Sequence, residues 1–462
     1  MSNSNSSSNS SSNLNGNAAT NQNLSSNNTR NIPHYSDKGQ YPDSYYAASR
    51  NPKPDRPTLK NDIQVEICVV GGGYSGLSTA LHLIETDHEV VVLEGAQIGW
   101  GASGRNGGQI VNGLNASLQK IKKSYGQENA DFVGQLVTRG GKIIRRFVRD
   151  YDISCDLKEK NIFAALNNGQ LKDLQETHAL WESHGMHDRE MLDKRGIQEH
   201  IKSDAYVGGV IDHSGGHFHP LNLALGEAAA IEQGGGTIYE NTLVVDIEYA
   251  DDSIKVITEF GTVTCKHAVL CGNAYLNKVI PKLTDRVMPV STQIIATEPL
   301  GDLADQLLPT DVCVEDVRYI LDYYRLSADK RMLFGGGTVY GGQDPADITA
   351  KIRPNMTKIF PELRDVKIDY AWSGNFALSF SRVPQMGKLH ERVYFAHGYS
   401  GHGVTGSHLF GQILADAING KTKEFDAFAQ IPWIPFPGGR ALRVPYSVMG
   451  SWWYALKDTT GM

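Results

Sequence analysis

The first strong pattern in the chain is an almost continuous apolar run, Val65-Glu66-Ile67-Cys68-Val69-Val70. Its β-branched residues lack a regular polar alternation, which predicts a strand buried on both faces. Gly71-Gly72-Gly73-Tyr74-Ser75-Gly76 follows, and Leu77, Ala80, Leu81 and Ile84 then recur at helical spacing. A second apolar strand, His88 to Leu93, ends in Glu94. Strand, glycine loop, helix, strand and acid in this order predict a βαβ unit of the dinucleotide-binding kind.

The same reading carries along the rest of the chain. Leu118 to Asp150 predicts helices, and Tyr151 to His219 predicts short strands with one helix around Leu171 to His184. Pro220 to Gly234 is a helix with proline in its first turn and glycine at its end. Thr237-Ile238-Tyr239 reads as a returning strand of the nucleotide sheet. A small antiparallel meander follows over Leu243–Ile247, Ile254–Thr258 and Gly261–Thr264. Ala268 to Cys271 is a buried strand ending at Gly272. Further strands are expected over Val290–Thr297, Tyr319–Leu326, Met332–Phe334 and Val366–Phe376, with a helix over Pro345–Phe360 interrupted near Pro354. Val393–His397, the glycine loop Gly398–Gly406 and the helix Ser407–Ile418 repeat the opening strand–loop–helix pattern.

The ends differ in character. Residues 1 to about 35 form a Ser- and Asn-rich tail that cannot bury a core and has no secretory signal pattern. Tyr35 to Pro57 reads as an arm draped over the surface. Pro432 to Met462 holds Trp433, Trp452 and Trp453, but its apolar stretch is short and broken by proline. Packing on the domain or on a partner subunit is expected there, ahead of a membrane-surface helix.

Composition narrows the class. The chain has 462 residues, 40% of them hydrophobic, enough for two intimately linked domains. A net charge of −7 argues against nucleic acid or an anionic membrane as partner. No apolar run reaches the ~18 residues of a spanning helix. The five cysteines are scattered, with no C-x-x-C, which fits buried thiols in a reducing, cytoplasmic compartment. His213, His217 and His219 lie close together, but no acid completes a ligand set, and no metal is expected.

The candidate chemistry sits on glycine loops. Gly71 permits the turn out of the strand, Gly73 lets a pyrophosphate approach the backbone, and Gly76 lets the helix pack on the sheet. Tyr74 and Ser75 open the helix, whose N–H groups favour phosphate. Glu94 can accept ribose hydroxyls. Gly101, Ala102, Ser103, Arg105, Asn106, Gly107 and Gly108 follow the second strand, with Arg105 suited to an anion. Gly272 ends another strand at the same crevice. Gly398, Gly401, Gly403, Val404 and Thr405 open a second helix, where N–H groups would stabilise charge on a reduced flavin. Two such donor clusters point to FAD, which is longer than a nicotinamide cofactor and stays bound.

These loops, together with Tyr323-Tyr324-Arg325-Leu326-Ser327, Leu333-Phe334-Gly335-Gly336-Gly337 and Phe436-Pro437-Gly438-Gly439-Arg440, resemble one family. It is the D-amino-acid oxidase, glycine oxidase and sarcosine oxidase superfamily of FAD-dependent amine oxidases, in its gamma-glutamylputrescine oxidase branch. The resemblance covers Gln64 to about Gly420. It implies an α/β fold, with a Rossmann-like FAD-binding domain and an inserted, mainly antiparallel substrate domain. Residues 1–60 would be tail and arm. The FAD-binding domain would comprise 61–150, 219–285 and 391–430, the substrate domain 151–218 and 286–390, and a C-terminal extension 431–462. The implied reaction oxidises a C–N bond by hydride transfer to flavin N5, with dioxygen returning the flavin and yielding hydrogen peroxide. On gamma-glutamylputrescine the products would be gamma-glutamyl-aminobutyraldehyde, ammonia and peroxide. No cysteine lies in Trp372–Phe376 and no histidine beside Arg105, where some relatives attach flavin, so noncovalent FAD is expected.

His402, Tyr323 and Arg325 are the side chains expected to do chemistry or hold substrate. His402 would contact flavin or substrate, or else cap its helix. Arg325 would hold a substrate carboxylate, or else form an ordinary ion pair. Trp372 would be pocket wall or core. Glycine, sarcosine or D-amino-acid oxidation, an electron-transfer-coupled dehydrogenase, and a non-catalytic flavin-binding subunit or sensor remain as alternatives, and a homo-oligomer is left open.

Overall fold

The computed structural model describes residues 39–250, 252–276 and 279–460, with side chains to residue 453. The Ser/Asn-rich tail lies outside the described residues.

The opening βαβ pattern forms as read. Ile63–Val70 pairs in parallel with Val90–Leu93 on one side and with Thr262–Leu270 on the other. Thr237–Tyr239 extends the sheet beyond Val90–Leu93, and Val393–His397 extends it beyond Thr262–Leu270, both in parallel. Val244–Tyr249 and Ile254–Thr258 form the antiparallel meander that leads into Thr262–Leu270. The helices Tyr74–Ile84, Pro220–Gln233 and Gly403–Ile418 bury a shared core against this sheet, with Leu77, Leu81, Leu221 and Phe410 almost inaccessible. The protein is an α/β molecule with a Rossmann-like first sheet.

The second sheet runs Ile368–Ser379, Val287–Thr297, Met332–Tyr340, Tyr323–Leu326, Cys313–Asp316, Lys158–Ala165, Gly208–His217 and Gln109–Ile110. All its pairings are antiparallel except Cys313–Asp316 with Lys158–Ala165. The helix Ile348–Ile359 covers its outer face. Pro354 sits inside that helix, so the expected interruption leaves the element whole.

Two strands fall on the other side of the expected boundaries. Gln385–His390 pairs with Val393–His397 and belongs to the nucleotide sheet, because the hairpin between them is too short to change sheets. Gln109–Ile110 pairs with Gly216–His217 in the second sheet, and the Gln109 amide also donates to the Val314 carbonyl at 3.0 Å. The loop that holds Arg105 therefore spans the two sheets.

The described part of the N-terminal arm lies only partly on the surface, where Pro52, Pro54 and Asp55 are exposed. Tyr45 and Tyr46 are buried, and Tyr46 packs edge-on against Trp372 with ring centroids 5.1 Å apart. Two large rings remove more apolar area from water in that gap than on the surface. The C-terminal segment is also longer than its proline suggested, a helix over Gly439–Thr460 that contains Pro445. Arg443 anchors it through the Val287 carbonyl at 2.8 Å, and Val444 joins a small core with Phe436.

A candidate flavin and substrate cavity

One cavity of about 650 Å³ runs between the two sheets. Its nucleotide end is built by the first βαβ unit. Gly71 takes the left-handed φ of +113°, and a Cβ there would meet the Cys271 carbonyl at 2.9 Å. A Cβ on Gly76 would lie 1.9 Å from the Gly71 carbonyl oxygen, so the helix packs on the loop only with glycine there. Glu94 faces the cavity and accepts from the backbone N–H of Gly72 at 2.7 Å and of Ala96 at 2.8 Å. Burial still outweighs those two bonds and pushes its carboxyl up to about 7.

The middle of the cavity is the loop after Val90–Leu93. Gly101, Ala102, Ser103, Arg105, Asn106 and Gly107 all line it. The loop is tied internally. Asn106 donates to the carbonyls of Ala102 and Ser103 and accepts from the Gly108 N–H. Arg105 stacks over Trp100 and donates to the Trp100 carbonyl at 2.7 Å, while the Trp372 indole donates to the Arg105 carbonyl at 3.0 Å. Trp372 is therefore buried support for the loop.

The far end is the second glycine loop. Gly401, His402, Gly403 and Val404 line the cavity, and Gly272 lies along its nucleotide side. His402 stands at the N-cap of Gly403–Ile418 without a side-chain capping bond. Its imidazole has no hydrogen-bond partner among the described residues. It faces the cavity, and loss of hydration on burial pushes it down to about 4, so the ring is neutral at ordinary pH.

The residues present fit a long anionic dinucleotide. Both helix starts that face the cavity, Gly73 and His402, lack a side-chain cap, which leaves backbone N–H donors at each end. One donor is spoken for, because the Tyr74 N–H reaches Ser103 Oγ at 3.0 Å. Asn375 Oδ1 is buried at the cavity without a protein partner.

The pattern described as FAD dependent oxidoreductase matches residues 66–417. The chain belongs to this family. FAD is its cofactor. It is 49% identical over 425 residues to gamma-glutamylputrescine oxidoreductase of Escherichia coli, covering 92% of this chain and all of the relative. It is 38% identical to a probable oxidoreductase of Haemophilus influenzae over 424 residues, covering 90% of this chain and 97% of the relative. Among solved structures, glycine oxidase from Bacillus cereus superposes with a TM-score of 0.66 at 21% identity, over 80% of this chain and 99% of that one. That likeness shows the fold.

Tyr74 and Ser75 line the cavity with their hydroxyls bound to protein, and Gly108, Gly398 and Thr405 stand behind its wall. The Tyr74 hydroxyl donates to the Pro220 carbonyl at 2.8 Å. The Ser75 hydroxyl pairs with Tyr399 at 2.6 Å. Gly108, with φ +70°, backs onto the Phe218 carbonyl, and Gly398, with φ +76°, donates its N–H to Asn273 Oδ1. Thr405 donates to the Val111 carbonyl at 2.8 Å and braces the loop.

Tyr323 and Arg325 do share a face, with Tyr324 in the opposite core against Phe334. Tyr323 lines the cavity, its ring in a slot between Gly107 and Gly335. Arg325 is a correction. It is 4% exposed and lies under the loop, donating to the carbonyls of Gly107 and Leu326 and to the Tyr46 hydroxyl. Three of its five N–H donors are used by protein and the residue does not line the cavity, so it is not placed to hold a substrate carboxylate.

The histidines near 217 point to different partners. His217 meets the Asp311 carbonyl, the His219 ring accepts from the Asn222 N–H, and His213 faces solvent near Glu190.

Two charged cavity residues were not expected from sequence. Arg382 lines the cavity with a left-handed φ of +68° and donates to the Tyr319 hydroxyl at 2.9 Å. Glu315 lines it from within a buried strand. Glu315 and Asp316, two acids enclosed by Val312-Cys313-Val314 and Val317, were a visible signal, whereas Arg382 sits in a turn with no periodicity to mark it.

Proposed function

We propose that this protein oxidises the amine end of gamma-glutamylputrescine, with dioxygen as electron acceptor. The observation that carries this reading is the 49% identity to gamma-glutamylputrescine oxidoreductase over that relative's whole length. The cavity chemistry supports it. Arg382 supplies a cation for a glutamyl carboxylate, and Tyr323 with Phe376 gives apolar wall for an alkyl chain. FAD, when bound, would supply the acceptor for the hydride that leaves the carbon bearing the amine. The protein orients that carbon, excludes water and holds the amine as the free base.

FAD is held without a covalent bond in this reading. The cysteine of the cavity wall is Cys271, beside Gly71 at the nucleotide end, and burial pushes its thiol up to about 12. Denatured protein passed through a desalting column should lose all its yellow colour. All five cysteines are buried and unpaired, which supports a reducing cytoplasm. No helix among the described residues is long and apolar enough to cross a membrane.

The deciding experiment is anaerobic flavin bleaching with a panel of amines, followed by a peroxide assay in air. Bleaching by gamma-glutamylputrescine ahead of glycine, sarcosine and D-amino acids is expected. Bleaching by none of them would leave a non-catalytic flavoprotein, and bleaching without peroxide a dehydrogenase.

A further inference from the structure

Cys313–Asp316 is a strand with all four residues buried. Val314 faces the outer core, and Asp316 pairs with Arg318. Glu315 points the other way. It stands opposite Tyr323 in the antiparallel register and beside Phe163 in the parallel one. Glu315 and Tyr323 both line the cavity.

Glu315 is 8% exposed, and its carboxyl has no hydrogen-bond or ion-pair partner among the described residues. Other buried acids are paired. Asp212 is 3.0 Å from Arg189, Glu240 is 2.9 Å from Lys53, and Glu227 is 2.6 Å from His408. A buried acid left without a protein partner costs free energy, and this one lines the cavity, where a bound ligand can reach it. Its chemistry selects a donor, and a cationic one best.

We propose that Glu315 receives the substrate's amino group and takes its proton. The ammonium nitrogen gives one proton to a Glu315 carboxylate oxygen. R–NH3+ and carboxylate become R–NH2 and carboxylic acid, with no change in charge or electron count. The free base keeps the lone pair that must assist departure of hydride from the neighbouring carbon. Burial, and then the charge of Asp316, push the Glu315 carboxyl up to about 8. That value lies nearer than an ordinary carboxyl to an alkyl ammonium, at about 10. A low-dielectric cavity further favours the neutral pair over the ion pair. The inference rests on the amine reading given above.

The test uses the FAD-loaded enzyme and Glu315→Gln, which keeps the shape but cannot take the proton. Binding of gamma-glutamylputrescine and of gamma-glutamylbutylamide, which keeps the glutamyl end and lacks the terminal ammonium, is measured by calorimetry, alongside the anaerobic bleaching rate. The variant should keep its FAD and bleach about 100-fold or more slowly. It should bind the amine roughly tenfold more weakly and the butylamide within about twofold of wild type. Bleaching within about threefold of wild type, or equal losses for both ligands, overturns the proposal. If Glu315→Gln does not fold, Glu315→Asp replaces it, and an unchanged bleaching rate with that shortened acid overturns the proposal while a slowed one supports it. If wild type responds only to another amine, the substrate reading falls, and the same comparison with that amine decides Glu315. If no amine bleaches wild type, both fall.

Discussion

The Arg325 guanidinium donates from Nε to the carbonyl oxygen of Gly107 at 2.7 Å. The contact joins the second sheet to the loop that carries Arg105, and it places the arginine beneath the cavity floor. Arg325→Ala should therefore act on architecture. Three acceptors lose a buried donor, and the expected cost is about 3 kcal/mol. Thermal melting and FAD retention should both fall. A selective rise in KM for carboxylated amines, with FAD retention intact, would return the arginine to the binding site.

Arg382 should show the behaviour that Arg325 does not. Arg382→Ala is expected to raise KM for gamma-glutamylputrescine roughly tenfold, with kcat within about twofold, because uniform binding is lost. An amine without a carboxylate should show no change. Steady-state kinetics on the two substrates checks this.

Gly76→Ala tests the closeness of helix and loop. The added methyl would fall 1.9 Å from the Gly71 carbonyl oxygen, and backbone has to move. Destabilisation on the order of 3 kcal/mol is expected, with loss of FAD from purified protein. Normal yellow protein with an unchanged melt would contradict the packing described.

Glu94 links pH to stability and to cofactor. Without FAD its folded carboxyl is raised to about 7, against an ordinary glutamate value of 4.5. The fold favours the protonated form. The contribution is fully present below about 4.5 and is lost as pH rises through 7. Glu94→Gln should therefore stabilise FAD-free protein at pH 8 by on the order of 2 kcal/mol and change little at pH 4. FAD retention should move the other way, because the ionised acid accepts ribose hydroxyls and the amide does so less well. Melts at both pH values, with and without FAD, separate the two effects.

His402 is pushed down to about 4 by loss of hydration on burial, so it carries no charge above about pH 5. Its ionisation should not appear in the rate profile between about pH 6 and 9. A rate limb near the ordinary histidine value that disappears in His402→Gln would contradict the neutral ring.

The sequence was most informative where function depends on backbone. Gly71, Gly73, Gly76 and Glu94 could be read because a strand, a tight turn, a helix start and an acid are consecutive in the chain. Gly401 and Gly403 were readable for the same local reason. Alternation correctly separated Tyr323 and Arg325 from Tyr324, since the period of a strand is two. It did not say which of the two paired faces was cavity and which was floor at each position. Gly107 and Gly108 decide that, because their missing side chains admit the Tyr323 ring and the Arg325 guanidinium respectively.

The N-terminal arm shows the same limit. Tyr45 and Tyr46 carry no helical or strand pattern that foretells burial, yet Tyr46 packs on Trp372 and accepts from Arg325, while the Tyr45 hydroxyl donates to Asp329. The sequence alone determined the βαβ unit, the two glycine loops and hence the length of the cofactor site, because these depend on neighbouring residues and on backbone conformation. Only the tertiary structure decided which charged side chains face the cavity. Arg325, Arg382 and Glu315 are set apart by which strands pair, what fills the space beside each one, and whether a partner from a distant segment reaches its charge.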